Sequence, residues 1–147
     1  MASGTITAAS QNILNNWFSA AALSPALPTN WFIALDTGTP TAAGLAFEVS
    51  SGNSYAELSI TRNTTNFPTI SSGNTMNNNV TFAFATSTGN WTGNSGANTT
   101  IIGAVIKDSG TIGSGNSWWY GTLTTAQTIV NNNILEFLAN NFSIQLS

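Results

Sequence analysis

The apolar positions of this chain fall mostly into short runs, each fenced by Gly, Asn, Ser or Thr. In the last third the runs lie at 101–108, 118–123, 134–137 and 142–146, the pattern of consecutive antiparallel strands joined by tight turns. Along the first of them Ile102, Ala104 and Ile106 share one face and Ile101, Gly103 and Val105 the other, so this strand is expected to be covered on both faces. In the second, strict alternation sends Trp118 and Tyr120 one way and Trp119 the other, leaving an aromatic that faces away from the main core.

Upstream, Asn30–Asp36 reads as a strong strand ended by Thr37, Gly38, Thr39 and Pro40. Phe47, Glu48 and Val49 suit a short strand or a tethered extension. From 55 to 62 the alternation places Ala56, Leu58 and Ile60 inward and Tyr55, Glu57, Ser59 and Thr61 outward. Val80, Phe82 and Phe84 form the inner face of another strand. Residues 63–79 and 86–100 read as loops, the second with Trp91 as its large apolar anchor. The Asn runs at 77–79 and 131–133 mark turns, because Asn tolerates positive φ and bonds its own backbone.

Helical periodicity is confined to the stretch from about Thr5 to Leu23, where Ile6, Ile13, Leu14, Trp17, Phe18 and Ala21 recur at helical spacing. Thr5 or Thr7 can cap its start, and Pro25 and Pro28 end it. Such a helix either lies across one side of the sheet or docks on a neighbouring subunit. One helix and a long series of short strands predict a mainly β fold, an antiparallel β-sandwich or barrel-like domain with one N-terminal amphipathic helix. The 147 residues are read as a single domain, with an arm and helix at 1–24 and a β-domain at 30–147.

Charge changes the picture. Asp36, Glu48, Glu57, Arg62, Lys107, Asp108 and Glu136 make up 5% of the chain, against roughly 25% in an ordinary domain. With two cations and a net charge of −3, the chain cannot supply the phosphate contacts of a nucleic-acid binder, nor be drawn to an anionic membrane. No apolar run reaches the roughly eighteen residues of a membrane span. The opening residues lack the basic region of a secretory signal, so use without Sec-type export is expected. Copies of so neutral a chain repel one another weakly, and such a surface is easiest to understand if an assembly covers much of it.

The search for chemistry finds little. There is neither Cys nor His, so the usual thiol nucleophile, general base and soft metal ligands are missing, and no cofactor or metal is implied. Glu48 and Glu57 flank a turn, Asp36 ends a strand and Glu136 sits in an apolar run; nothing pairs them for glycoside hydrolysis, and they are expected to be solvated strand ends. Lys107 to Gly110 reads as a turn in which Asp108 bonds the following backbone. The expectation is a protein that is not an enzyme. Trp17, Trp31, Trp91, Trp118 and Trp119, set among Asn and Thr, suit a core, a subunit interface or a sugar-binding platform.

The order of these pieces resembles a group of small tailed-bacteriophage virion proteins, tail-fibre-like and related to capsid decoration (cement) proteins. The matching features are Ile13-Leu14-Asn15 in the helix, the strand Trp31–Leu35, the loop Thr39-Pro40-Thr41 and the segment Glu48–Tyr55. Gly103–Asp108 and Tyr120–Val130 with the final two strands complete them. Relatives often carry Arg two residues after the Tyr, where this chain has Glu57. The resemblance implies a virion structural protein without catalytic residues. It would be a decoration protein on the outer capsid surface, a homotrimer bridging copies of the major capsid protein. The alternative is a tail-fibre or tail-tip protein that binds a host glycan, and a free lectin-like module is more remote. The expected contact residues are Ile6 with the N-terminal segment, Trp17, Phe47, Trp91 and Trp119, each of which also reads as core.

Overall fold

The structure is a computed structural model that describes residues 3–19, 26–70, 73–94, 96 and 98–145, the side chains of Ser3 and Trp17 excepted. Its elements run β1 (Ser3–Thr5), α1 (Thr7–Ser19), β2 (Asn30–Asp36), β3 (Leu58–Thr61), β4 (Thr75–Asn77), β5 (Phe82–Ala83), β6 (Thr100–Lys107), β7 (Ser117–Thr128), β8 (Glu136–Phe137) and β9 (Ser143–Gln145). The fold is mainly β, as the run lengths and turn residues predict. A five-stranded antiparallel sheet in the order β1-β7-β6-β2-β3 carries it, with two-stranded ribbons β4-β9 and β5-β8 beside it.

β2 and β6 are adjacent inner strands of the sheet, and both are apolar between their polar ends. Ala34, Leu35, Val105 and Ile106 are all buried, so the expectation of cover on both faces holds. One cluster joins Ile33, Leu35, Ile60, Ile101 and Ala104 of the sheet to Phe82, Phe84, Trp91, Ile129 and Leu135 from the ribbon and loops. A second joins Ile6 and Ala9, at the start of α1, to Trp31, Ile106 and Trp118. The helix therefore lies against the sheet by its first turns. It starts at Thr7 with Ile6 supplying the first carbonyl, to Ser10 N, so neither Thr5 nor Thr7 caps it by position; Thr5 instead pairs with Trp119 in β1. The predicted continuation of the helix beyond Ser19 lies outside the described residues.

Two phases differ from the alternation read along the chain. Before β3, Tyr55 and Glu57 are buried and Ala56 is exposed, the reverse of the pattern expected. The two-residue period of β3 begins only at Leu58, and the segment before it follows its own path: Tyr55 is held inward because its hydroxyl accepts Leu35 N at 2.9 Å, and Glu57 because its carboxylate meets Lys107. In β7, a bulge breaks the alternation. Ile106 pairs with Trp119 and Lys107 with Ser117, so Trp118 is the extra residue. Trp118 and Trp119 accordingly stack on each other, and both meet Trp31 edge-on at centroid distances of 5.5 and 5.8 Å. Opposite faces for the two Trp, expected from strict alternation, are not what the chain adopts.

The Asn-rich turns are more than turns. Asn78 is fully buried; its Nδ2 donates to the carbonyls of Val80, Phe137 and Leu138, and its Oδ1 accepts Phe142 N at 2.8 Å. One amide thereby ties β4, β5, β8 and β9 together. β1 and β4 themselves escape the sequence pattern: β1 is three polar or small residues paired to the long β7, and β4 is a three-residue strand, with Met76 as its one apolar side chain, paired to the equally short β9. Replacing the amide strands several buried backbone groups. Asn78→Ala is expected to lower stability by about 2–3 kcal/mol in denaturant unfolding, whereas an exposed neighbour such as Asn79→Ala should change it by a few tenths at most.

Candidate functional site

Two features stand out from the bulk of the core: an apolar groove on the outside and an ionic cluster within. The groove has a volume of about 380 Å³ and is formed by Trp31, Ile106 and Trp119 of the sheet, Phe67 and Ile70 of the 62–74 loop, and Met76 and Ile144 of the β4-β9 ribbon. Arg62, Asn63, Thr64 and Asn74 add polar atoms to its lining. Trp119 is half-buried here, and its indole Nε1 is enclosed with no hydrogen-bond partner. The β7 bulge is the cause: it brings Trp119 onto the same side as Trp118, so that Trp31 backs both rings.

The residues expected at contacts divide between core and surface. Ile6 and Trp91 are core residues of the chain itself, which corrects their assignment to an outer contact surface. Trp91 is 1% exposed because Tyr55 and Phe84 pack on its ring and its Nε1 donates to Asn53 O at 2.9 Å. Phe47 is half exposed, Trp119 lines the groove, and the side chain of Trp17 lies outside the described residues. Pattern reading did not single out Leu14 and Phe18 as exposed. They stand one helical turn apart on α1 and are 53% and 81% exposed, away from the face that packs on the sheet.

The ionic cluster overturns the reading of Asp36, Glu48 and Glu57 as solvated strand ends, while Glu136 is exposed as expected. Asp36, Glu48, Glu57 and Lys107 are all buried. Asp36 accepts the backbone N–H groups of Gly38, Ala46 and Phe47, closing the 37–47 loop around its own carboxylate. Lys107, at the end of β6, donates to Glu57 Oε1 at 2.5 Å and to Glu48 Oε1 at 3.3 Å. Glu48 is fixed in turn by Gly113 N, 2.9 Å from its Oε2, while Glu57 Oε2 has no partner. Burial first, and the adjoining Glu48 carboxyl second, push the Glu57 carboxyl up to about 7. Burial also raises the Tyr55 phenol well above its ordinary value. The signal that could have found this cluster is the sole Lys of the chain lying in an apolar strand, since a buried cation requires an anion.

Beside it, Asp108 organises the 108–116 turn. It does bond backbone, as expected, but across the loop: Oδ1 accepts Asn116 N, and Oδ2 accepts Asn116 Nδ2 and Trp118 Nε1. Among the described residues no cluster of His, Cys, Asp or Glu is suited to hold a metal ion, and no helix is long and apolar enough to cross a membrane.

With this geometry in hand, the comparison with known families is decisive. The family described as podophage GP4 fiber I protein gp80 matches residues 4–145. The chain belongs to that family. It is a small tailed-phage virion protein of fibre type. No curated protein matches it.

Removing Lys107 leaves two buried carboxylates without their cation. Lys107→Met is expected to cost about 3–5 kcal/mol of stability in mildly alkaline buffer. Part of that loss should return as pH falls, beginning above the value of about 7 that Glu57 has with Lys107 beside it, because the cation that lowers it is gone and a carboxyl whose folded value is raised binds its proton more readily in the folded chain than in the unfolded one. Thermal unfolding of the variant over a pH series checks this; a loss independent of pH would mean that Glu57 is not held in a buried site.

Proposed function

We propose that this chain is a contact-forming subunit of the phage fibre that joins copies of itself, with the Leu14 and Phe18 face of α1 from one copy seated in the Trp31/Trp119 groove of the next. The observation that carries this reading is an apolar helix face and an apolar groove, both exposed on a surface almost devoid of charge. Four of the seven charged residues are buried, which leaves Arg62, Asp108 and Glu136 to the outside. Helix-in-groove packing of this kind uses paired anchors one turn apart. A head-to-tail contact closes into a ring if its rotation allows, and a trimer is the expected ring.

The family description supports the fibre location. The capsid surface, where the chain would bridge copies of the major capsid protein as a decoration protein, is the other outcome of locating it in particles. A host glycan is a second reading for the groove, favoured by the half-buried Trp119 and by Arg62, Asn63 and Asn74 in the same lining. Quenching or enhancement of Trp fluorescence by host-surface glycans would reveal it.

Sedimentation velocity tests the self-contact. The chain should sediment as an oligomer, and Phe18→Asp should shift it to monomer with its thermal midpoint nearly unchanged, since Phe18 is 81% exposed. A chain that stays monomeric at high concentration, or a Phe18→Asp variant that assembles normally, sinks the groove contact. Imaging of purified particles then distinguishes fibre from capsid.

A further inference from the structure

The Lys107, Glu57 and Glu48 cluster takes no part in the groove, and its arrangement is unlike a simple ion pair. Side chains of all three are at least nine-tenths buried, with relative exposures of 3% for Lys107, 6% for Glu48 and 0% for Glu57. The single amine faces two carboxyl groups, and one oxygen, Glu57 Oε2, is enclosed with no hydrogen-bond donor. An unsolvated, unpartnered carboxylate oxygen is costly as an ion pair, and mutual neutralisation by proton transfer relieves that cost.

We propose that Lys107 and Glu57 condense to an isopeptide bond, with Glu48 as the proton shuttle. The reacting groups are already in contact: Lys107 Nζ lies 2.5 Å from Glu57 Oε1, and Glu48 Oε1 lies 3.3 Å from the same nitrogen. Held contact of this kind replaces the encounter that makes condensation in free solution slow. A proton passes from the Lys107 ammonium to Glu57, giving a neutral amine and a neutral acid. Nζ then attacks Glu57 Cδ, and the Nζ–Cδ bond forms while Glu48 removes a second proton from Nζ. Glu48 returns that proton to the Glu57 hydroxyl, the Cδ–O bond breaks, and one water leaves. Glu48 ends as it began, a carboxylate, and no oxidant, reductant or further reactant is needed.

The surroundings suit each step. Glu48 is aimed at the nitrogen by Gly113 N on its other oxygen. A Glu57 carboxyl raised to about 7 by burial has a large neutral fraction near neutrality. A polar cleft of about 240 Å³ reaches Glu48 and Lys107 between Asn94, Gly113 and Ser117, and offers the released water a way out. The bond would tie the end of β6 to the segment leading into β3, a covalent brace across the sheet.

Intact mass of the full-length chain under denaturing conditions is the primary test. The expected mass is lower than that of the sequence by one water. Trypsin adds a positional readout, because Arg62 and Lys107 are its only sites. In the linked chain cleavage after Lys107 is blocked, and fragment 1–62 stays attached to fragment 63–147 through Glu57. Lys107→Arg and Glu48→Gln should each restore the full mass and release fragment 1–62. A wild-type chain of full mass overturns the proposal, as does a water loss accompanied by normal cleavage after Lys107. A Glu48→Gln chain that still loses water removes Glu48 from the reaction. If either variant fails to fold, the mass and digest of the wild-type chain decide alone.

Discussion

Lys107 is the constraint on which the rest of this structure depends. A cation at the end of a central, otherwise apolar strand has to be matched where it lies, and the chain brings two distant carboxylates to it, Glu48 and Glu57. Those contacts fix the path of the 37–57 segment over one face of the sheet, with Asp36 closing the loop at its start through three backbone N–H groups. They also anchor the 108–116 turn, through Gly113 N on Glu48 and Thr111 O on Lys107. The loops that cover Ala34 and Val105 are therefore held by charge as much as by apolar burial. Gly103 shows how close that cover is: Pro40 of the loop packs on its backbone, where any side chain would collide.

The opposite side of the sheet is organised by aromatic contact. A single extra residue in β7 turns two adjacent Trp onto one partner, Trp31, and the same bulge leaves Trp119 at the rim of the groove. Packing and the proposed contact surface are thus two results of one irregularity in the ladder. Trp118 completes the link between the two sides, since its Nε1 donates to Asp108 in the turn that Lys107 and Glu48 help to hold.

Much of the architecture was legible in the chain itself. β2 and β6 stand where their long apolar runs place them, and cover on both faces of β6 followed from its lack of a polar face. What escaped has identifiable causes. Tyr55 and Glu57 are buried because they lie before β3, where specific partners, Leu35 N and Lys107, draw them inward, and such a shift leaves no trace in hydrophobic periodicity. Trp118 and Trp119 share a partner because of a bulge, which is equally invisible there. Asn78 looked like a turn residue and is a buried hub, since its amide can satisfy four separate groups that the turn brings together. The scarcity of charge was read correctly as unusual, but the location of the charges was not. Asp36, Glu48 and Glu57, read as solvated, lie inside with Lys107, and Glu136 alone of the four strand-end carboxylates is exposed.

That inward placement has a consequence for the environments a particle can meet. Dissolved salt acts on proteins chiefly by screening charges that face water, over a distance of about 8 Å at physiological ionic strength. Here the outer surface presents Arg62, Asp108 and Glu136, and the ionic contacts that hold the fold lie where counterions do not reach. The folded chain is thereby largely decoupled from ionic strength. Whatever the ionic strength around it, a subunit built this way has almost nothing for salt to weaken.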